Sequence, residues 1–363
     1  MNGTAPPRAD APSRKGTVLA AGRRRVMVGT DRLNVVLGVR PVAVALLAAA
    51  AIAVGAVAAL ALGDFPLTAR DVLGVFTGRT QGFARTVVLE WRLPRAAAAV
   101  LFGAALAVSG AIFQAVTRNP LASPDIVGLA NGSFTGMLIA LLLLGGSWPL
   151  LTAGSLVGGL LAALAVYLLA FRDGLQGFRF IVVGIGVSAM LASVNTWMLL
   201  RVDVETALFA SAWGAGTLNS VTTTTVVPAG VCVLLLLACT PLLTPALRQM
   251  DLGDDTARAT GVRVRRARPA AVAVAVALVS VVTAVTGPIA FIALAAPQIA
   301  RRLAGTPQIP FGVTGMVGGA LLLGADLIAQ HVIPLTVPVG VVTIVLGGGY
   351  LVLLLIHQAR RRP

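Results

Sequence analysis

One carboxylate stands inside an apolar run of this chain: Asp326, in GGALLLGADLIAQ. An ionised group there is costly and is a functional hypothesis by default. Coupling transport to protons or sodium needs carboxylates that load and unload. A carrier of that kind is expected to show several, whereas this run holds one, close to its end. Capping a neighbouring helix or pairing with an arginine are the competing roles for Asp326. Other chemistry is bounded quickly. His331 and His357 have no acidic partner at ligand spacing, so no metal site is expected. No Gly-x-x-x-x-Gly-Lys-Ser/Thr loop occurs, so ATP hydrolysis has no seat here and no catalytic residue is assigned. Cys232 and Cys239 are seven residues apart in one apolar segment. They are too distant to bond each other and are expected to act as small packing residues. The most charged stretch outside the amino-terminal arm is 247–268, LRQMDLGDDTARATGVRVRRAR. Asp254 or Asp255 is expected to cap a short helix, Thr256 to Thr260, ended by Gly261. A capped helix among arginines suits docking on a partner; an ordinary basic loop is the alternative.

The elements that position these residues follow from composition. Of 363 residues, 57% are hydrophobic and 11% charged, with a mean hydropathy of +0.92. Soluble domains carry about 25% charged residues, so the class is a polytopic helical membrane protein. Ten apolar segments are expected to span: 42–62, 94–116, 125–145, 149–170, 179–200, 225–246, 269–286, 288–303, 311–329 and 338–357. Gly287-Pro288 separates the seventh from the eighth; fusing them would give nine. With ten spans and an internal amino terminus, predicted cytoplasmic segments hold 21 of the 28 Lys/Arg. Nine would place Arg360-Arg361-Arg362 outside, against the positive-inside rule. Both termini are therefore expected in the cytoplasm. Residues 1–40 form a basic tail expected to be disordered, and 41–358 form the membrane domain. The net charge of +15 is read as topology rather than nucleic-acid binding, because the 5% of aromatic residues do not interleave with the basic runs. Glycines 103, 110, 154, 158, 159, 184, 186, 315, 318, 319 and 324 lie within spans, where small residues permit close helix packing.

Several blocks, in order, carry a resemblance. Glu90–Gly132 reads EWRLPRAAAAVLFGAALAVSGAIFQAVTRNPLASPDIVGLANG. Then come Leu252-Gly253, Ala257 and Thr260-Gly261-Val262; Gly287-Pro288-Ile289-Ala290-Phe291-Ile292 through Pro297-Gln298-Ile299-Ala300-Arg301; Gly324-Ala325-Asp326; and Val337-Pro338-Val339-Gly340 through Thr343 and Gly347-Gly348. Over about residues 88–350 the chain resembles the iron–siderophore and vitamin B12 family of ABC importer permeases. Within it, Ser109–Gln114, Arg118–Asp125, Gly184–Leu191 and Asn195–Leu200 look most like ferric-enterobactin permeases. The chain departs from the family at Thr260 (usually Leu), Gln298 (usually His), Gly349 (usually Pro) and Gln330, where a third docking arginine is usual.

The resemblance implies an all-α, ten-helix permease of type II ABC importer architecture in the inner (plasma) membrane. It implies a second permease subunit, expected to be a paralogue, two cytoplasmic ATPases that use ATP and Mg, and an extracytoplasmic siderophore-binding protein. The chain itself binds no cofactor. Arg92 and Arg95 match the outer-face arginines that receive glutamates of the binding protein. Residues from about 250 to 262 match the ATPase-coupling segment: Leu252, Gly253, Asp254, Asp255, Ala257, Gly261 and Val262. Ser109, Gln114, Asn131, Ser188 and Asn195 are candidates for lining the pathway, each equally able to satisfy a neighbouring helix. Asn119, Pro120, Gly287, Pro288, Asp326, Pro338 and Gly340 are assigned structural roles. The expected cargo is a ferric siderophore of catecholate type. Another iron chelate, haem or vitamin B12 are alternatives, as are an ion-coupled carrier or channel and a structural assembly protein whose arginines bind lipid.

Overall fold

The structure, a computed structural model, describes residues 17–20, 23–30, 33–145, 147–170, 177–334 and 337–359. The expected disordered tail falls partly outside these residues. Its described part forms an antiparallel meander of β1 (Thr17–Ala20), β2 (Arg23–Thr30) and β3 (Leu33–Gly38), with Val26 opposite Leu37 and Val28 opposite Val35. Val26 and Val28, at alternate positions of β2, are residues that favour strand pairing.

The rest is helical. In chain order the helices are α1 (Val39–Ala61), α2 (Ala69–Phe76), α3 (Phe83–Thr86), α4 (Leu93–Thr117), α5 (Leu129–Leu143), α6 (Trp148–Ala170), α7 (Gly177–Leu199) and α8 (Val204–Gly214). They continue as α9 (Thr223–Asp251), α10 (Asp254–Ala259), α11 (Val264–Thr286), α12 (Ile292–Ala304), α13 (Phe311–His331) and α14 (Val339–Ala359). Every predicted apolar segment overlaps one of these helices. Among the described residues, seven are long and apolar enough to cross a membrane by length and composition. α5 and the described apolar part of α14 are shorter, and the 13-residue α12 is amphipathic, with Arg301 and Arg302 exposed in its last turn. The predicted span 125–145 starts late, because Pro124–Val127 forms a 3-10 turn and Gly128 takes a left-handed conformation before α5. The predicted break at Gly287-Pro288 is present: α11 ends at Thr286, and α12 begins only after Phe291, which has φ 69°.

α4 is the axis of the bundle. Its residues from Ala96 to Ala115 are mostly buried, packed by α9, α11, α12 and α13. The sequence explains how so many helices fit around one: Gly103 faces Gly318 of α13, and Gly110 faces the Ala293 backbone of α12. A Cβ at Gly103 would strike the Gly318 carbonyl oxygen. In lipid, where apolar burial gains little, such close packing supplies the association energy. A second contact joins α5 and α6 through two reciprocal Gly-x-x-x-Gly pairs, Gly132/Gly136 and Gly154/Gly158. Of the glycines expected to pack helices, Gly186 and Gly324 do not; each faces open space. Cys232 and Cys239 are likewise exposed on α9 rather than packed inside.

Three connections are tied together near one end of the bundle. The Thr217 N–H donates to the Thr286 carbonyl (2.7 Å), and the Gly340 N–H donates to the Gly216 carbonyl (2.9 Å). Gly287 (φ 69°) lies so close to the Trp213 carbonyl that no side chain fits. The structural assignments of Gly287 and Gly340 thus acquire a cause, since Gly287 admits the end of α8 and Gly340 the loop after it against its backbone. Asn119 also takes a structural role, its side-chain oxygen accepting from the Leu121 N–H (2.9 Å) in the turn after α4.

Gly136→Val is expected to destabilise the fold by about 1–3 kcal/mol through overpacking. Gly324→Ala, with open space, is expected to be neutral or to stabilise by up to about 1 kcal/mol. Thermal unfolding of the two purified variants in detergent checks both; equal melting temperatures would refute the packing role.

Candidate functional site

Polar groups gather at the two ends of α4. At its amino-terminal end the preceding turn, Val87–Arg92, is a π-helix, a local widening often found at functional sites. Arg92 and Arg95 emerge beside it. Arg92 donates to the carbonyls of Leu60 (2.9 Å), Ala61 (3.2 Å) and Phe65 (2.7 Å), closing the carboxyl end of α1. Arg95 makes a bidentate pair with Asp326, Nε to Oδ2 at 3.0 Å and Nη2 to Oδ1 at 2.8 Å. Gln330 donates to the same carboxylate at 2.6 Å. Asp326 is 1% exposed and Arg95 19% exposed. Arg92 thus caps a helix end, where orphan carbonyls need donors, and Arg95 neutralises the buried carboxylate, so each of the two expected docking arginines also holds the bundle together. The pairing role for Asp326 is the one the structure shows.

These groups surround a cavity of about 300 Å³ lined by Glu90, Arg92, Arg95, Asn219, Asp326 and Gln330 among others. Around the same end, Trp91 meets Phe83 edge-on at 5.7 Å, Phe83 meets Phe65 at 5.4 Å, and Trp148 meets Phe209 at 6.4 Å. Trp197 lies under Arg201 at 5.3 Å. The three tryptophans, Trp91, Trp148 and Trp197, carry amphipathic rings that favour a membrane–water interface. Sequence reading missed this clustering, because these residues lie on six separate elements or connections. Beyond the spans, exposed Asp203 caps α8, and the Thr206 N–H bond to its carboxylate holds it below the usual carboxylate range.

The opposite end lies 23 residues along the chain from Arg95, at Arg118, an axial rise of about 34 Å at 1.5 Å per residue. Arg118 Nη2 pairs with Asp254 Oδ1 at 2.7 Å, and Arg268 Nη2 meets the same oxygen at 2.6 Å. One carboxylate thus joins the end of α4, the start of α10 and the first turns of α11. The short helix runs Asp254–Ala259, not Thr256–Thr260, and its N-cap is Gly253, without a side-chain cap. Asp254 faces inward to its arginines instead of capping. Ala257 is fully buried and Val262 half-buried, whereas Leu252 is 63% exposed, Asp255 99% exposed and Gly261 exposed. The outward face of this end is therefore Leu252, Asp255, Arg258 and Thr260.

The pathway candidates fall into two groups. Ser109 donates to the Ala275 carbonyl (2.7 Å), and Gln114 donates to the Leu294 carbonyl (3.1 Å) while accepting from Gln298 (2.6 Å). Both are buried in the bundle, bonding neighbouring helices. Asn131 donates to Ser188 Oγ (2.8 Å), Thr135 donates to Asn195 (2.6 Å), and Asn195 donates to the Asn131 carbonyl (3.1 Å). These form a polar seam between α5 and α7, beside a largely exposed face of α7.

The FecCD transport family profile matches residues 37–357. The ferric enterobactin transport system permease protein FepG of Escherichia coli (strain K12) is 44% identical over 87% of this chain and 96% of its own length. FepD of the same organism, also a ferric enterobactin transport system permease protein, is 35% identical over 83% of this chain and 91% of its own. The achromobactin transport system permease protein CbrC of Dickeya dadantii (strain 3937) is 36% identical over 83% and 88%. A solved inward-facing metal-chelate type ABC transporter superposes with a TM-score of 0.76 at 24% identity, covering 87% of this chain and 99% of that one. That likeness shows the shared fold.

Asp326→Ala strands Arg95 beside a buried hole and is expected to cost about 3–5 kcal/mol of stability. The double replacement Arg95→Leu/Asp326→Leu is expected to cost less than the sum of its single changes. Thermal unfolding across the four-member cycle decides; strict additivity would mean the two side chains do not act as a unit.

Proposed function

Because this chain belongs to the FecCD transport family, we propose that it is the permease subunit of an ABC importer that moves a ferric siderophore, of catecholate type, into the cytoplasm. The observation that carries this reading is the pair of polar clusters about 34 Å apart on one buried helix, on a chain 44% identical to a ferric enterobactin permease. That separation slightly exceeds a hydrocarbon core of about 30 Å. One cluster would then meet a substrate-delivering protein and the other an ATPase. Ten spans, with both termini cytoplasmic, agree with the ten helices that overlap the apolar segments and with the arginine distribution. The aromatic clusters then mark the outer interface.

On the outer face, Arg92 and Arg95 form the floor of the docking site. Both line the cavity, and both are half-buried rather than enclosed. Exposed ion pairs there would orient docking and speed association more than they set affinity. On the inner face, Leu252, Asp255 and Gly261 present the contact surface, and Ala257 and Asp254 fix it to the bundle. Closure of an ATPase dimer against α10 would pull on Asp254, and through Arg118 and Arg268 on α4 and α11. A second permease subunit, such as the paired FepG and FepD suggest, would cover the exposed face of α7. The polar seam of Asn131, Ser188 and Asn195 would then border the pathway. Ser109 and Gln114 would hold it in shape from within.

The test is uptake of ferric enterobactin by proteoliposomes carrying both permeases and the ATPase, with binding protein outside. Uptake is expected only with ATP inside; uptake indifferent to the ATPase would overturn the reading. Leu252→Asp is expected to weaken ATPase association about tenfold, equivalent to about 1.4 kcal/mol. Co-purification titration measures this, with Arg79→Gln, at an exposed position in the α2–α3 connection, as the comparison.

A further inference from the structure

A second large cavity lies away from both polar clusters. It is a groove of about 630 Å³ between α9 and α13, floored by Ala104 and Val108 of α4. That volume falls in the roughly 300–1,000 Å³ range of ligand sites. Its α9 wall runs from Leu237 to Arg248, a rise of about 16 Å, or half of a hydrocarbon core of about 30 Å. The groove therefore has the length of one leaflet. Its walls are mainly apolar, with Thr240 midway along α9 and Thr244 and Arg248 at one end, beside the start of α13. Arg248 is exposed and pairs with no carboxylate among the described residues. Two prolines add polarity. Pro241 and Pro245 have no N–H, so the carbonyls of Leu237 and Pro241 lack their usual i+4 donor. The nearby hydroxyls serve other oxygens: Thr240 donates to Leu236 at 3.5 Å and Thr244 to Thr240 at 2.9 Å.

We propose that this groove holds an anionic phospholipid of the cytoplasmic leaflet, with an acyl chain along α4 and its phosphate on Arg248. A basic group at the inner end of an apolar slot between spanning helices is the arrangement that captures acidic headgroups. The assignment to the cytoplasmic leaflet rests on the orientation proposed above; the binding itself does not. By filling the gap between α9 and α13, the lipid completes the packing around α4.

The test is native mass spectrometry of the purified permease complex equilibrated with equal amounts of dipalmitoyl phosphatidylglycerol and phosphatidylethanolamine in mild detergent. The wild type is expected to retain phosphatidylglycerol about fivefold over phosphatidylethanolamine, the effect of one basic residue near a headgroup. Arg248→Gln is expected to erase that preference and Arg248→Lys to restore it. Thr244→Phe, which narrows the slot at a half-buried wall position, is expected to reduce retention of both lipids. Equal retention by the wild type, an unchanged preference in Arg248→Gln, or no retained phospholipid would each overturn the proposal. Because uptake is not the readout, a failed transport reading leaves this result intact.

Discussion

Lipid gives helices almost no hydrophobic reason to associate, so a helix can be buried on all sides only if its neighbours come very close. That constraint governs this bundle. α4 is surrounded because Gly103 and Gly110 let α13 and α12 approach to backbone contact, and Gly318 returns the favour from α13. The Gly-x-x-x-Gly pairs of α5 and α6 solve the same problem at a second interface. Larger side chains at these points would push the helices apart and expose the polar residues that α4 carries inward, Ser109 and Gln114 among them.

Close packing also explains where the charges lie. A carboxylate within the bundle is tolerated when its charge is matched and its lone pairs are filled. Asp326 meets both conditions with Arg95 and Gln330, and Asp254 is shared by Arg118 and Arg268. Both arginine partners from this axis sit at the ends of α4, Arg95 in its first turn and Arg118 at its C-cap. The helix that the glycines bury is therefore also fastened at each end, to α13 on one side and to α10 and α11 on the other. A rigid member tied at both ends is suited to relaying a displacement from one face to the other. The groove between α9 and α13 is the place where this tight packing is left incomplete.

The long apolar segments were legible because a run of about 20 apolar residues needs no tertiary context to be read. The break at Gly287-Pro288 was equally legible, since proline and glycine act locally. The start of α5 was not, because the turn Pro124–Val127 is as apolar as a helix and periodicity cannot separate the two. Nor was the extent of α10: Asp254 reads as a cap by type, but two arginines from distant elements claim its carboxylate. Arg92 and Arg95 were located correctly at one end of α4, yet their occupations were hidden, because Leu60, Phe65 and Asp326 approach them only through the fold.

By itself, then, the sequence determined the class, the approximate positions of the long apolar helices, the separation of its charged ends and the family resemblance, all of which rest on composition and local spacing. The tertiary structure alone decided which carboxylate each arginine serves, which glycines touch backbone and which face open space, and where packing leaves a groove. Those outcomes depend on distances between residues up to 231 positions apart in the chain. Such distances arise only when the helices are set side by side.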